Sequence, residues 1–100
     1  MRMMMRVQMV TEAANAAIAD GTLGALLEST MDRLQPEAAY FTAVDGLRTG
    51  FMFFELSHQA QIPALAAPWC QARNATIDVL PALGPDAVAA GIQAWHESSS

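Results

Sequence analysis

The chain has 100 residues, of which 53% are apolar and only 15% charged. That is the length of a single domain with one core, and it leaves few charges for the surface of a small monomer. Five basic against ten acidic residues give a formal charge of -5 with no block of Lys and Arg, a balance that repels phosphate-rich partners and excludes a nucleic-acid binder.

The first element runs from Met3 to Val10, where every second residue is apolar. The segment is Met-rich, but Arg6 and Gln8 interrupt it before it reaches the apolar length of a signal peptide, so it reads as a first strand. Thr11 is the expected N-cap of a helix that carries Glu12 in its first turn, favourable at the positive end of the helix dipole. Ile18, Leu23, Leu26, Leu27, Met31 and Leu34 keep helical spacing on one stripe, and Pro36 ends it. Gly21 and Gly24 lie within this stretch, so the helix either breaks near Asp20-Gly21 or lies close to a neighbour there.

Glu37 to Val44 and Phe51 to Leu56 alternate again. They are joined through Asp45-Gly46, a dipeptide that tolerates the positive φ of a tight hairpin, so the two strands are antiparallel neighbours. Ser57 is placed to cap a second helix bearing Ile62, Leu65, Ala66 and Trp69. Pro63 and Pro68 make that helix either short, starting near Ile62, or kinked. Asn74 precedes a fourth strand, Ala75 to Pro81, and Gly84-Pro85-Asp86 opens a last amphipathic helix with Val88, Ile92 and Trp95. The domain is expected over 1–97, with 98–100 as a disordered tail.

Strand periodicity sorts the side chains into two faces. One is uniformly apolar, with Met3, Met5, Val7 and Met9 on the first strand, Ala39, Phe41 and Ala43 on the second, Met52, Phe54 and Leu56 on the third, and Ala75, Ile77 and Val79 on the fourth. The other mixes Met4, Phe51 and Phe53 with Arg6, Gln8, Tyr40, Thr42, Glu55, Thr76 and Asp78. The order strand, helix, strand, strand, helix, strand is the split βαβ arrangement. It predicts an α+β, ferredoxin-like fold: a four-stranded antiparallel sheet with two helices on one face, plus the C-terminal helix. The mixed face is too apolar for a solvated surface, so it is expected to pair with a second copy as a homodimer.

Phe-Met-Phe-Phe-Glu-Leu-Ser at 51–57, Ile-Pro-Ala-Leu at 62–65 and Ala-Thr-Ile-Asp-Val-Leu-Pro-Ala-Leu at 75–83 resemble the second half of muconolactone-isomerase-like proteins. Pro-Glu-Ala-Ala-Tyr-Phe at 36–41 resembles small bacterial proteins of the same dimeric α/β-barrel superfamily. At the level of fold the resemblance spans residues 2–83. It implies two sheets packed face to face around a cavity, and it spans isomerases, cofactor-independent monooxygenases, cyclases and proteins that only bind.

The candidate site therefore lies on the mixed face. Glu55 and Asp78 can serve as general acid or base in a cavity that excludes water, or they simply pair with Arg6 or stay solvated. His58, at the end of the third strand, is the better placed histidine for proton transfer, and His96 near the carboxyl terminus is expected to be inert. Arg6, Gln8, Tyr40, Phe51 and Phe53 are the candidate ligand-binding residues, with Arg6 to hold an anion and Tyr40 to donate a hydrogen bond. Cys70 forms no internal disulfide and is expected to be buried and unreactive, with Arg73 the nearest cation. Two distant histidines and one cysteine do not form a metal site, and no Gly-rich phosphate loop follows a strand, so neither metal nor cofactor is expected. No apolar run approaches the roughly 20 residues of a membrane span, and a cytoplasmic setting is expected. The preferred function is a dimeric protein that binds a hydrophobic small molecule in a cavity on the open sheet face. The alternative is an isomerase, monooxygenase or cyclase acting on a carbonyl-containing or aromatic metabolite.

Overall fold

The structure is a computed structural model, whose described residues are 1–73 and 75–99, without the side chains of 71–73. Asn74 and Ser100, and the side chain of Arg73, expected as the cation nearest Cys70, lie outside the described residues. In chain order the elements are β1 (Arg2–Met9), α1 (Thr11–Ala19), α2 (Thr22–Leu34), β2 (Ala38–Val44), β3 (Leu47–Glu55), α3 (Gln61–Arg73), β4 (Thr76–Pro81) and α4 (Pro85–Ser99). The four strands form one antiparallel sheet in the order β2-β3-β1-β4. This is the expected ferredoxin-like α+β fold.

The register follows from the alternation. Met5 lies opposite Met52 and Val79, and Val7 opposite Gly50 and Ile77, all with side-chain positions on the face covered by α1, α2 and α3. Met5, Met52, Phe54 and Trp69 are fully buried there. Each contributes about 1.5–3 kcal/mol by leaving water, and Leu26, Leu27, Met31 and Leu65 close over them. The hairpin between β2 and β3 turns on Asp45 and Gly46, both at positive φ (54° and 75°), with Val44 and Leu47 paired on either side. Two positive-φ residues in a two-residue loop match the twist of the flanking strands.

Several local expectations are corrected, and one pair of alternatives is decided: the first helical stretch is two helices. It breaks at Asp20-Gly21, where Gly21 takes φ 81° and the Asp20 carboxylate accepts the Thr22 backbone N–H at 2.9 Å. Thr11 does not cap α1. Val10 holds that position, and the Thr11 hydroxyl instead donates to the Gly46 carbonyl at 3.0 Å, tying the start of α1 to the β2–β3 turn. Ser57 does not cap α3 either, because the Gln61 side-chain oxygen accepts the backbone N–H groups of both Ser57 and His58 at 3.2 Å. Pro63 falls in the first turn of α3, where its missing N–H has no helical acceptor to lose, while Pro68 lies inside the helix.

Cys70 is exposed rather than buried. Trp69 turns into the core, and the next residue of a helix is rotated by about 100° from it, out of the packed stripe. Phe41 and Ala43 were expected in the core and are exposed, because the helices do not reach fully over the edge strand β2. α4 continues through Ser99, with the Ser98 and Ser99 hydroxyls donating to the Trp95 carbonyl at 2.9 Å, so these two residues expected in the tail are helical.

α4 stands apart from the body. None of its residues is buried, and Val88, Ile92 and Trp95 are exposed at 44%, 62% and 69%. The radius of gyration, 16.2 Å, exceeds the roughly 13 Å of a compact 100-residue domain, and the long axis measures 58 Å.

Candidate functional site

On the open face the register assembles the expected residues in rows across the sheet. One row is Tyr40, Phe51, Arg6 and Asp78; the next toward one end is Ala38, Phe53, Met4 and Leu80; the next toward the other is Thr42, Thr49, Gln8 and Thr76. Arg6 pairs with Asp78: its Nε donates to Oδ2 at 3.0 Å and its Nη2 donates to the same oxygen. Both side chains are more than a third exposed, so water screens the pair and its net contribution is about 0–1 kcal/mol. Gln8 donates to the Thr49 hydroxyl at 3.3 Å. Tyr40 is 64% exposed, while Phe51 and Phe53 are half-buried by their neighbours in the sheet.

The three acid–base candidates are not brought together. Glu55 lies at the Arg2 end of β1 and accepts the chain's terminal ammonium at 3.0 Å. Asp78 is four residues along, opposite Arg6 and on the far side of β1, an offset of about 13 Å along the strand direction plus two strand spacings across the sheet. His58 is exposed in the turn before α3, and its imidazole forms no hydrogen bond among the described residues. No group of three or more His, Cys, Asp and Glu gathers in a metal-binding arrangement among the described residues. No helix among them is long and apolar enough to cross a membrane.

A cavity of about 710 Å³ lies on the other side of the sheet, under α1 and α2. Ile18, Leu23 and Leu27 form its roof, Val7, Met9 and Met52 its floor, and Trp69 its inner wall. The break at Gly21 lies on its rim and sets the angle at which α1 hands over to α2. The outer floor is Phe41, whose ring lies over Gly50 of the neighbouring strand. A Cβ there would sit 3.0 Å from the Phe41 ring, so the glycine is what permits that close approach.

Trp69 is fixed by a buried hydrogen bond from its indole N–H to the Thr30 hydroxyl at 3.0 Å; the hydroxyl in turn donates to the Leu26 carbonyl at 2.8 Å. This satisfies both polar groups of the inner wall. At the mouth stand Thr11, the Gly46 turn and Arg48. Arg48 faces the helices in the row Ala43, Arg48, Met9, and its Nε and Nη2 donate to the Asn15 side-chain oxygen of α1 at 3.2 and 3.1 Å.

None of Arg6, Gln8, Tyr40, Phe51 or Phe53 lines this cavity. The residues that do, and that sequence reasoning missed as site residues, are chiefly Arg48, Gly50 and Trp69. Extending the alternation of Phe54 and Met52 backwards would have put Gly50 and Arg48 on the same face, a cation and a gap where the pattern calls for two apolar side chains. A smaller cleft of about 270 Å³ lies between α2, α3 and the end of β3, bordered by Arg33, Glu55 and Gln61.

No family model, curated protein or solved structure matches the chain.

Proposed function

We propose that this protein binds a hydrophobic small molecule without transforming it, and that it works as a homodimer paired through the open sheet face in the manner of the dimeric α/β-barrel proteins it resembles. The observation that carries the binding reading is the apolar cavity of about 710 Å³ under α1 and α2, within the size range of small-molecule sites and walled chiefly by aliphatic and aromatic side chains. The ligand is assigned to that cavity rather than to the open face. Binding is preferred over the isomerase, monooxygenase or cyclase chemistry that the resemblance implies because Glu55, His58 and Asp78 lie apart and none of them lines the cavity. Pairing is supported by Met4, Phe51, Phe53 and Tyr40 on the open face and by the unburied apolar stripe of α4.

The test is titration with Nile red, a neutral apolar dye. Saturable fluorescence enhancement with one site per chain is expected, lost in Ala43→Trp, which places a large ring at the cavity floor from an exposed position. No saturable binding to the folded wild-type protein would overturn the binding reading.

A further inference from the structure

The cavity mouth carries a charge that no carboxylate offsets among the described residues. Among the described residues Arg48 is the one charged residue lining the cavity, and it stands in a row of the sheet whose other members are Ala43 and Met9. A guanidinium has five N–H donors in a planar fork. Two of the Arg48 nitrogens donate to a single neutral oxygen, that of Asn15. The described ion pairs join the terminal ammonium to Glu55, Arg2 to Glu37 and Arg6 to Asp78, so among the described residues no carboxylate neutralises Arg48. In a chain with twice as many acids as bases, a cation left without an acid at the edge of an apolar cavity is a selective feature: it favours an anion beside it and disfavours a second cation.

We propose, resting on the cavity reading above, that the ligand is an amphipathic monocarboxylic acid: an apolar alkyl or aryl body lodged between Leu27, Met52 and Trp69, and one carboxylate at the mouth paired with Arg48. Asn15 positions the fork. By occupying Nε and Nη2 from the α1 side, it holds the guanidinium at the rim, with N–H groups left over for the acid. Because carboxylate and guanidinium are complementary planar groups, the acid is distinguished from the alcohol or amine of the same body. The residue that makes this distinction is a specificity residue and not a catalytic one.

The experiment compares octanoate with 1-octanol by isothermal titration calorimetry on the full chain at low ionic strength. Octanoate is expected to bind at least tenfold more tightly than 1-octanol, and Arg48→Gln is expected to lower octanoate to the level of the alcohol while leaving the alcohol and the circular dichroism melt unchanged. Equal affinity of the two ligands for the wild type, or a preference for octanoate that persists in Arg48→Gln, would overturn the assignment of the acid and leave the apolar cavity intact. Failure of both ligands and of Nile red to bind would instead overturn the cavity reading itself. Asn15→Ala provides a second variant. It frees the fork from α1, and a reduced acid-to-alcohol ratio is expected with the alcohol affinity retained, whereas loss of both affinities would assign Asn15 to the fold and count against its positioning role.

Discussion

Phe54 and Glu55 are neighbours in β3 that face opposite ways, one fully buried beneath the helices and the other exposed beside the terminal ammonium. Phe54→Ala is expected to cost about 3–5 kcal/mol as a core truncation, against less than about 1 kcal/mol for Glu55→Gln, whose ion pair is solvated. Equal shifts in urea melts would show that the two faces are misassigned. Thr30 offers a sharper case, because its hydroxyl is the acceptor for the buried Trp69 indole. Thr30→Val keeps the shape and removes the acceptor, so about 1–3 kcal/mol should be lost, while Thr30→Ser, which keeps an acceptor, should lose less; the pair of denaturant midpoints decides. At Cys70 the exposed position on α3 predicts complete labelling of the native protein by a thiol reagent, at a rate that denaturant raises only modestly. Strong protection in the native state would place the thiol back in the core.

At the scale of elements, the break between α1 and α2 decides whether a cavity exists. Gly21 sits at φ 81° with no atom near its missing Cβ, and Gly24 sits inside α2 with equally open surroundings. Gly21→Ala should therefore destabilise by about 1–2 kcal/mol through left-handed strain alone, and Gly24→Ala should stabilise by about 0.5–1 kcal/mol through helix propensity. Thermal melts of opposite sign are the expected outcome. These two glycines also show what could be read from the chain in advance. Period-two alternation named the inward residues of β1 and β4 because successive side chains of a strand point to opposite faces of the sheet, and Asp45-Gly46 named the hairpin because a two-residue loop demands positive φ. The same alternation placed Arg6 and Asp78 on one face, where they meet. The cavity was not legible, because it depends on how far α1 and α2 reach across β2, a matter of angles between elements that side-chain periodicity does not encode. Arg48 escaped for a simpler reason: Thr49 and Gly50 interrupt the apolar pattern, so β3 read as beginning at Phe51 when it begins at Leu47.

For the whole molecule, the proposed pairing makes a definite demand on assembly. Multi-angle light scattering at micromolar concentration should give twice the chain mass, and Phe53→Lys, which puts an ammonium in the middle of the open face, should give the single-chain mass with the fold retained; a wild-type monomer would remove the proposal. α4 carries this further. It has 15 residues and no buried side chain, and isolated helices of up to about 12–15 residues are marginal in water. In the proposed pairing the contacts that keep it wound come from the second copy, and winding becomes a function of concentration. Diluting the protein from micromolar to nanomolar should lower its mean helicity, and amide hydrogens between Val88 and Trp95 should exchange with solvent deuterium faster in the dilute sample while those of β1 do not change. The carboxyl-terminal sixth of the chain would then act as a gauge of how much of the protein is present: unwound when its copies are scarce, ordered when they meet.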